Sequence, residues 1–278
     1  MKKLLAIILC LAMVFAFAAC GQAETNSDVD SSSDVADVDT NKETIVVGYT
    51  IYEPMNYKDE SGKLVGFDTE LAEKVFGNLG YNVNFKEIVW DNKYTDLNAN
   101  VIDCVWNGFT ANTADDDGVA RKDKVDFSYN YMENLQVVVA KKDSGIKSAA
   151  DLKGKIASAE GGSAGETYAA TFENVVIKKA SVQTDALLAV KSGTADFAVL
   201  DNQLAKSYCG KGDYENLAIV EGLSSDVEYY AIGFKKGSDL TAKVNAELEK
   251  LAADGTIEAL AKKYGVENTA IKDFADQK

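Results

Sequence analysis

The chain reads as an α/β protein, and three observations point that way. From Ile45 onward, short apolar runs of strand character alternate with segments whose apolar residues recur at helical spacing. That alternation spans Ile45 to Trp106 and begins again at Gln136-Val137-Val138-Val139-Ala140. Setting aside a leader at residues 1–19, the 278-residue chain keeps 259 residues, enough for one large domain or two lobes with cores of their own.

The elements follow in order. Ile45-Val46-Val47-Gly48-Tyr49 reads as a buried strand. Pro54, the only proline, marks a fixed turn after it, at the strand end where open α/β sheets bind ligands; a purely structural turn is the alternative. Asp68 is placed to cap a helix with Leu71, Val75 and Leu79 on one face, closed by Gly80. Val83 to Ile88 reads as strand, 91–100 as a short helix and Val101 to Trp106 as strand. In the second series, Lys155 to Ser158, Val175 to Lys178 and Asp196 to Asp201 read as strands, and Leu217 to Val220 as an edge strand. Helices are expected over Ser163 to Phe172 and around Ala186, Leu187 and Val190, the latter ending at Gly193. Ser238 caps a helix bearing Leu240, Val244, Leu248 and Leu251, and Gly255 separates it from one bearing Ile257, Leu260 and Tyr264. Strands separated by helices imply parallel sheets with right-handed crossovers.

Ahead of this lies an address. Lys2 and Lys3 precede an uncharged apolar run from Leu4 to Ala19, whose 16 residues fall short of the roughly 20 that a spanning helix needs. It reads as a secretion signal. Phe17-Ala18-Ala19 sets small residues directly before Cys20, which resembles the lipoprotein type of signal; there the cysteine is acylated and becomes the new N-terminus. An ordinary signal peptide is the alternative. Residues 20–44 then read as the acylated cysteine and a disordered acidic tether, since 21–44 carry seven acids against Lys42 alone. A tethered protein of this kind belongs outside the cytoplasm, held to the membrane by lipid on a Gram-positive-type cell surface.

Composition excludes several functions. Net charge is −15, or −17 once Lys2 and Lys3 leave with the leader, which argues against nucleic acid and against charge-driven binding to anionic lipid. The chain has no histidine, so Ser-His-Asp triads, Cys-His dyads and His-containing zinc sites are ruled out. Beyond Cys10 and Cys20 only Cys104 and Cys209 remain, either as an exported disulfide or as free buried thiols. Asp115-Asp116-Asp117-Gly118 lacks the spacing of a calcium loop and reads as a solvated tip. No metal or cofactor is expected.

Several spans resemble the family 3 extracellular solute-binding proteins of amino-acid ABC importers. They are Gly62-Lys63-Leu64-Val65-Gly66-Phe67-Asp68, and Val125-Asp126-Phe127-Ser128 with Tyr129 and Tyr131. Asp151-Leu152-Lys153-Gly154-Lys155 and Gly161-Gly162-Ser163-Ala164-Gly165-Glu166 follow, then Gly193 to Asp201 and Ala253-Asp254-Gly255-Thr256. The resemblance runs from about residue 45 to 266. It implies a two-lobed clamshell of the type 2 periplasmic-binding-protein fold, with lobe 1 at 45–136 plus 230–278 and lobe 2 at 137–229. Two crossovers, near Gln136–Ala140 and Glu228–Phe234, would join the lobes, and ligand would bind in the cleft between them.

A free amino acid presents a carboxylate, an ammonium and a side chain, and the residues supply a group for each. Arg121 offers a bidentate fork for the carboxylate. It keeps the family's spacing to Val125-Asp126-Phe127-Ser128, whereas Asp115 stands five positions after the family's Thr, here Thr110; residues 111–120 thus carry an insertion of six. A surface Arg beside Lys122 and Lys124 is the alternative. Backbone N–H groups at Thr110, Ser163 and Ala164 would add to the clamp. Asp201, at the carboxyl end of a buried strand, matches the family's ammonium-binding Asp and is otherwise a helix N-cap; the Gly108 carbonyl would assist. Tyr52, Trp90 and Trp106 are candidates for the side-chain pocket, with core packing the alternative for each Trp. Tyr49, Thr50 and Ile51 stand where the family carries an acid, and Glu53 is a substitute. Polar uncharged amino acids or cystine are favoured on that ground.

The implied function is capture of an amino acid by a monomeric, non-enzymatic protein and delivery to an ABC permease. A same-fold dehydratase-type enzyme and a ligand-sensing ectodomain working through a separate partner are the alternatives.

Overall fold

The computed structural model describes residues 41–278. The secretion signal at 1–19 with Cys10, the acylation site Cys20 and the tether up to residue 40 lie outside the described residues.

The chain runs through β1 (Thr44–Tyr49), a short hairpin of β2 (Tyr57–Lys58) and β3 (Leu64–Val65), α1 (Phe67–Asn78), β4 (Asn82–Glu87), α2 (Lys93–Asn98) and β5 (Cys104–Val105). It continues through α3 (Arg121–Lys124), β6 (Asp126–Phe127), β7 (Met132–Asn134), β8 (Gln136–Lys141), β9 (Ile156–Glu160) and α4 (Ala164–Ala169). Next come β10 (Val176–Ala180), α5 (Gln183–Ser192), β11 (Phe197–Asp201), α6 (Asn202–Tyr208) and β12 (Leu217–Ser224). The last elements are β13 (Glu228–Tyr230), β14 (Gly233–Phe234), α7 (Leu240–Ala253) and α8 (Thr256–Lys263).

Two five-stranded sheets form, β4-β1-β5-β14-β6 and β10-β9-β11-β8-β12, each the centre of a lobe. Between them β7 and β13 pair antiparallel, Met132 opposite Tyr230 and Asn134 opposite Glu228. These two short strands carry the chain from one sheet to the other and back. Gln136, expected to close lobe 1, already pairs with Asp201 inside the second sheet, so the outward crossover falls at 132–134. The sheets are mixed, not wholly parallel. Strands β8 and β12 in the second sheet, and β14 in the first, run against their neighbours. The reason is topological: β8 enters and β14 returns directly from the crossovers, without a helical connection to reverse the chain.

Strands buried on both faces explain the apolar runs. In β8, Val138 and Ala140 pack with Leu152, Ala157 and Phe197 on one face, while Val137 and Val139 join Ala186, Leu187 and Val190 of α5 on the other. In the first lobe Val47 and Trp106 face α1 and the C-terminal helices α7 and α8, and Val105 faces Trp90, Leu97 and Phe109.

Expectations shift in detail for α1 and for β5, and the two cysteines settle an open alternative. Asp68 lies inside α1, and Gly66 takes the N-cap position with φ +133°. A Cβ there would sit 2.0 Å from the Met55 carbonyl oxygen, so only glycine fits. Of Val101 to Trp106, only Cys104–Val105 is ladder-paired, because the Asp103 carboxylate accepts the Val46 N–H (2.7 Å) where a strand carbonyl would stand. Cys104 and Cys209 are free thiols, Cys104 buried in the first sheet and Cys209 half-buried.

Candidate functional site

A narrow cavity lies between the two sheets. The first lobe lines it with Trp90, Asn107, Gly108, Thr110 and Arg121. The second lines it with Gln136, Glu160, Ser163, Ala164, Gln183 and Asp201. Asn107 to Thr110 follow β5, while Glu160 and Asp201 end β9 and β11, the carboxyl ends where open α/β sheets place their ligands.

Arg121 is 1% exposed, although it opens a helix of only four residues. The insertion explains its burial. Residues 113–121 fold back on themselves: Asp115 and Val119 are hydrogen-bonded, Ala114 bridges Ala120, and the Arg121 N–H reaches the Thr113 carbonyl. This hairpin delivers Asp115 to the Arg121 side chain, where Nε donates to Oδ1 at 2.8 Å. Asp115 also accepts from Lys124 Nζ (2.8 Å) and Tyr94 OH (2.6 Å). Burial would raise its carboxyl, but Arg121 and Lys124 hold it down at about 2. The Asp115 tip is therefore a buried ion-pair partner and not a solvated turn. Arg121 Nη1 donates to the Thr110 carbonyl and Nη2 crosses the cleft to the Gly162 carbonyl, both at 3.2 Å. A guanidinium carries five N–H donors, so one N–H on each terminal nitrogen is left over.

Asp201 stands at the N-cap position of α6 but makes no side-chain cap bond. Its Oδ1 accepts from Asn134 Nδ2 (2.7 Å) and Gln136 Nε2 (2.6 Å), and its Oδ2 from Gln183 Nε2 (2.6 Å). Burial raises its pKa, and Tyr230 with the three amides opposes the rise. Neutral donors thus orient the carboxylate without neutralising it, and each oxygen keeps capacity for a cation's N–H. Glu228 shares the amides: Oε2 accepts from Thr110 Oγ1, Asn134 Nδ2 and Gln136 Nε2. Burial, then Asp201, pushes Glu228 up to about 7.

Trp90 lines the cavity and leads into α2. Its ring meets Phe109 edge-on at 5.3 Å between centroids, with Lys93 Nζ 5.1 Å from its centroid. Lys93 is buried, donates to the Gly162 carbonyl at 3.0 Å, and is lowered to about 7 by burial and by Arg121. Tyr52 and Trp106 do not line the cavity. Tyr52 sits behind Gly108 and shares a 2.8 Å hydrogen bond with the Tyr230 hydroxyl. Trp106 is fully buried between Phe76 and Tyr131, because its position after β5 turns it toward α1. Gly108 donates its N–H to Asp68 Oδ2 (3.0 Å), which also accepts from Tyr131 OH (2.9 Å). Glu53 interacts with Tyr208 and is not among the lining residues.

Ser163 and Ala164 stand at the start of α4. The Ser163 N–H is already bonded to the Glu160 carbonyl (3.2 Å), and its hydroxyl accepts the Glu166 N–H (3.1 Å). Sequence reasoning missed Asn107, Gln136, Glu160 and Gln183. A signal existed for Glu160: it is an ionisable residue at the inner end of a strand, directly before Gly161-Gly162-Ser163. The amides carried none, since their role depends on Asp201 lying opposite.

Known proteins share this architecture. The L-cystine-binding protein TcyA of Bacillus subtilis (strain 168) is 32% identical over 271 residues, covering 95% of this chain and 97% of that protein. The arginine-binding extracellular protein ArtP of the same organism is 30% identical over 268 residues, covering 95% and 98%. A solved ancestral arginine-binding protein bound to arginine superposes with a TM-score of 0.72 at 36% identity, covering 80% of this chain and 98% of that one. Residues 45–267 match the model of one family across both sheets, and the chain belongs to it: the bacterial extracellular solute-binding proteins, family 3.

Proposed function

We propose that this protein captures a free amino acid between its two lobes and delivers it to the permease of an ABC importer. Arg121, with the backbone N–H groups of Thr110 and Ala164, takes the carboxylate. Asp201, with the Gly108 carbonyl, takes the ammonium, and Trp90 walls the side chain. One observation carries the reading: a buried guanidinium and a buried carboxylate, each oriented by its own hydrogen bonds, line one cavity from opposite sheets. The relatives named above as binders of arginine and cystine support it. The absence of an acid at Thr50 and Ile51 favours polar uncharged amino acids or cystine. The protein works as a monomer outside the cytoplasm, exported by residues 1–19 and anchored through lipid on Cys20. No helix among the described residues is long and apolar enough to cross a membrane.

Thermal unfolding against a panel of L-amino acids tests the function. A native-state ligand at about 100 times its Kd adds about 2.7 kcal/mol, so at least one amino acid should raise the Tm by several degrees. Asp201→Ala should abolish that shift. A Tm unmoved across the whole panel would sink the capture reading, and an unchanged shift in the variant would remove Asp201 from it.

The non-enzymatic reading faces one observation that favours another. Glu160 is a buried carboxyl lining the cleft, pushed up to about 8 by burial and Asp201, and so could serve as the acid of a same-fold dehydratase. Incubation with prephenate and arogenate decides between them. Loss of either substrate with release of carbon dioxide would establish the enzyme, and unchanged substrate leaves Glu160 as a binding group.

A further inference from the structure

Glu160 ends β9 and is 3% exposed. Its Oε1 has no hydrogen-bond partner among the described residues, although the residue lines the cavity. The other two cleft carboxylates differ from it. Asp201 receives three amide N–H bonds, and Glu228 receives two amides and a hydroxyl. The fold supplies donors to those two and leaves Glu160 Oε1 without one. Nor do the nearby cations supply a bond: Arg121 is engaged by Asp115 and two carbonyls, and Lys93 by the carbonyls of Gly162 and Trp90.

A second buried atom, on the first lobe's side of the cavity, is also unpartnered. The Trp90 indole Nε1 makes no hydrogen bond among the described residues. An indole N–H can only donate, and an ionised carboxylate can only accept. Beyond the groups assigned to the amino-acid head, the lining residues thus include one acceptor and one donor that are wholly unpartnered among the described residues. The head itself is a zwitterion, matched in charge by Asp201 and Arg121. When ionised, Glu160 has Lys93 nearby but no donor on Oε1, so a ligand that brings a second positive charge to that oxygen is favoured.

We propose that Glu160 is the specificity-determining residue of this cleft, and that it selects amino acids carrying a second cationic N–H group. The class comprises side chains ending in an ammonium or guanidinium, and cystine, whose second head would give an ammonium to Glu160 and a carboxylate to the Trp90 N–H. The selection rests on the amino-acid capture reading. It replaces the preference for polar uncharged ligands drawn from Thr50 and Ile51, since the missing acid after β1 is supplied from the opposite lobe.

Calorimetric titration of the purified protein with L-arginine, L-lysine, L-cystine, L-glutamine and L-glutamate tests the inference. At least one of the first three should bind about tenfold or more tighter than glutamine, as befits a charge-assisted hydrogen bond. Glu160→Gln keeps the shape and removes the charge. It should erase that preference, while Asp201→Asn weakens every ligand. The ligand-free Tm of Glu160→Gln, equal to or above that of the parent, shows that it folds.

The affinity for the preferred cation should also depend on pH. Glu160 is faced by Asp201 on β11, Asp185 on α5, Lys93 on α2 and Thr50 after β1. A cation binds the ionised form, so affinity should rise by up to about tenfold per pH unit from about pH 6 toward 8. In Glu160→Gln the dependence should flatten. Glutamine or glutamate binding as tightly as the best cation, or a Glu160→Gln variant with its preference intact, overturns the selection while leaving amino-acid capture standing. Binding of none of the five, nor of any other amino acid, overturns both.

Discussion

Asp115 shows how one residue can be misread by its neighbours. In sequence it sits among Asp116, Asp117 and Gly118, and three adjacent acids read as a solvated tip. In the fold its carboxylate is 7% exposed and binds Arg121, Lys124 and Tyr94, while Asp117 pairs with Lys124 and stays exposed. The insertion therefore positions the guanidinium that faces the cavity. Removing one member of a buried ion pair leaves the other charge uncompensated, at a cost of about 3–5 kcal/mol. Asp115→Ala should lower stability by about that amount in urea unfolding, and should weaken ligand binding because Arg121 loses the partner that aims it. An affinity equal to the parent's would show that Arg121 is held in place without Asp115. The pH dependence of this pair has a definite sign. The folded pKa of Asp115 lies below its ordinary value, so the stability it contributes is complete above about pH 4 and is lost as pH falls toward about 2.

At the scale of elements, the site is made by strand ends and the turns that follow them. The segment after β5 is the clearest case. Gly108 holds φ +59°, and a Cβ there would lie 2.7 Å from Tyr52 Cε1 and 3.0 Å from Tyr230 Cε2. Tyr52 follows β1 and Tyr230 ends β13, so the turn is wedged between the first sheet and the crossover. Gly108→Ala should destabilise by about 1–3 kcal/mol and weaken binding, since relief of the clash moves the turn that bears Thr110. Urea unfolding and calorimetry on the same preparation check both, and wild-type values for each would show that the tyrosines yield freely. The crossover pair β7–β13 is held from a third side: Ile271 N–H donates to the Tyr131 carbonyl, and Glu133 N–H to the Thr269 carbonyl. Segments far apart in sequence thus meet where the lobes join, which fits a hinge that transmits closure.

Over the whole molecule, the unusual feature is the number of buried carboxyls with raised pKa. Burial pushes Asp68 up to about 7, Glu228 to about 7 and Glu160 to about 8. In the unfolded chain these groups ionise near pH 4, so across about pH 5 to 7 the folded state binds more protons. Their stability contribution is full below the unfolded value and is lost as pH rises through the folded value. Lys93 acts oppositely but later: lowered to about 7 by burial, it lets stability recover only between about pH 7 and 10. The Tm of the ligand-free protein should therefore be highest near about pH 5 and fall toward about pH 7 to 8. The net charge of −15 adds self-repulsion in the same direction. A Tm that is flat or rising between about pH 5 and 7 would mean these carboxyls are ionised in the fold.

The order of strands and helices was legible in the sequence because hydrophobic periodicity is a local property: Val137 to Ala140 and Phe197 to Leu200 show their two-sided burial within a few residues. That Arg121, Asp201, Trp90, Gly108 and Thr110 line the cavity was legible for a related reason, since they stand at or just beyond the ends of such runs, in an order that resembles a known family. The partners of those residues were not legible. Asp201 is oriented by Asn134 and Gln136 from the segment leading into lobe 2, and by Gln183 from α5. Arg121 owes its burial to a loop that only the folded chain turns back upon it. Whether a buried polar group is paired depends on which distant segment packs against it, and that is settled by tertiary contact. Glu160 is the sharpest instance: the sequence determined that an acid ends β9, and only the fold decided that its Oε1 oxygen lacks a donor among the described residues beside the cleft.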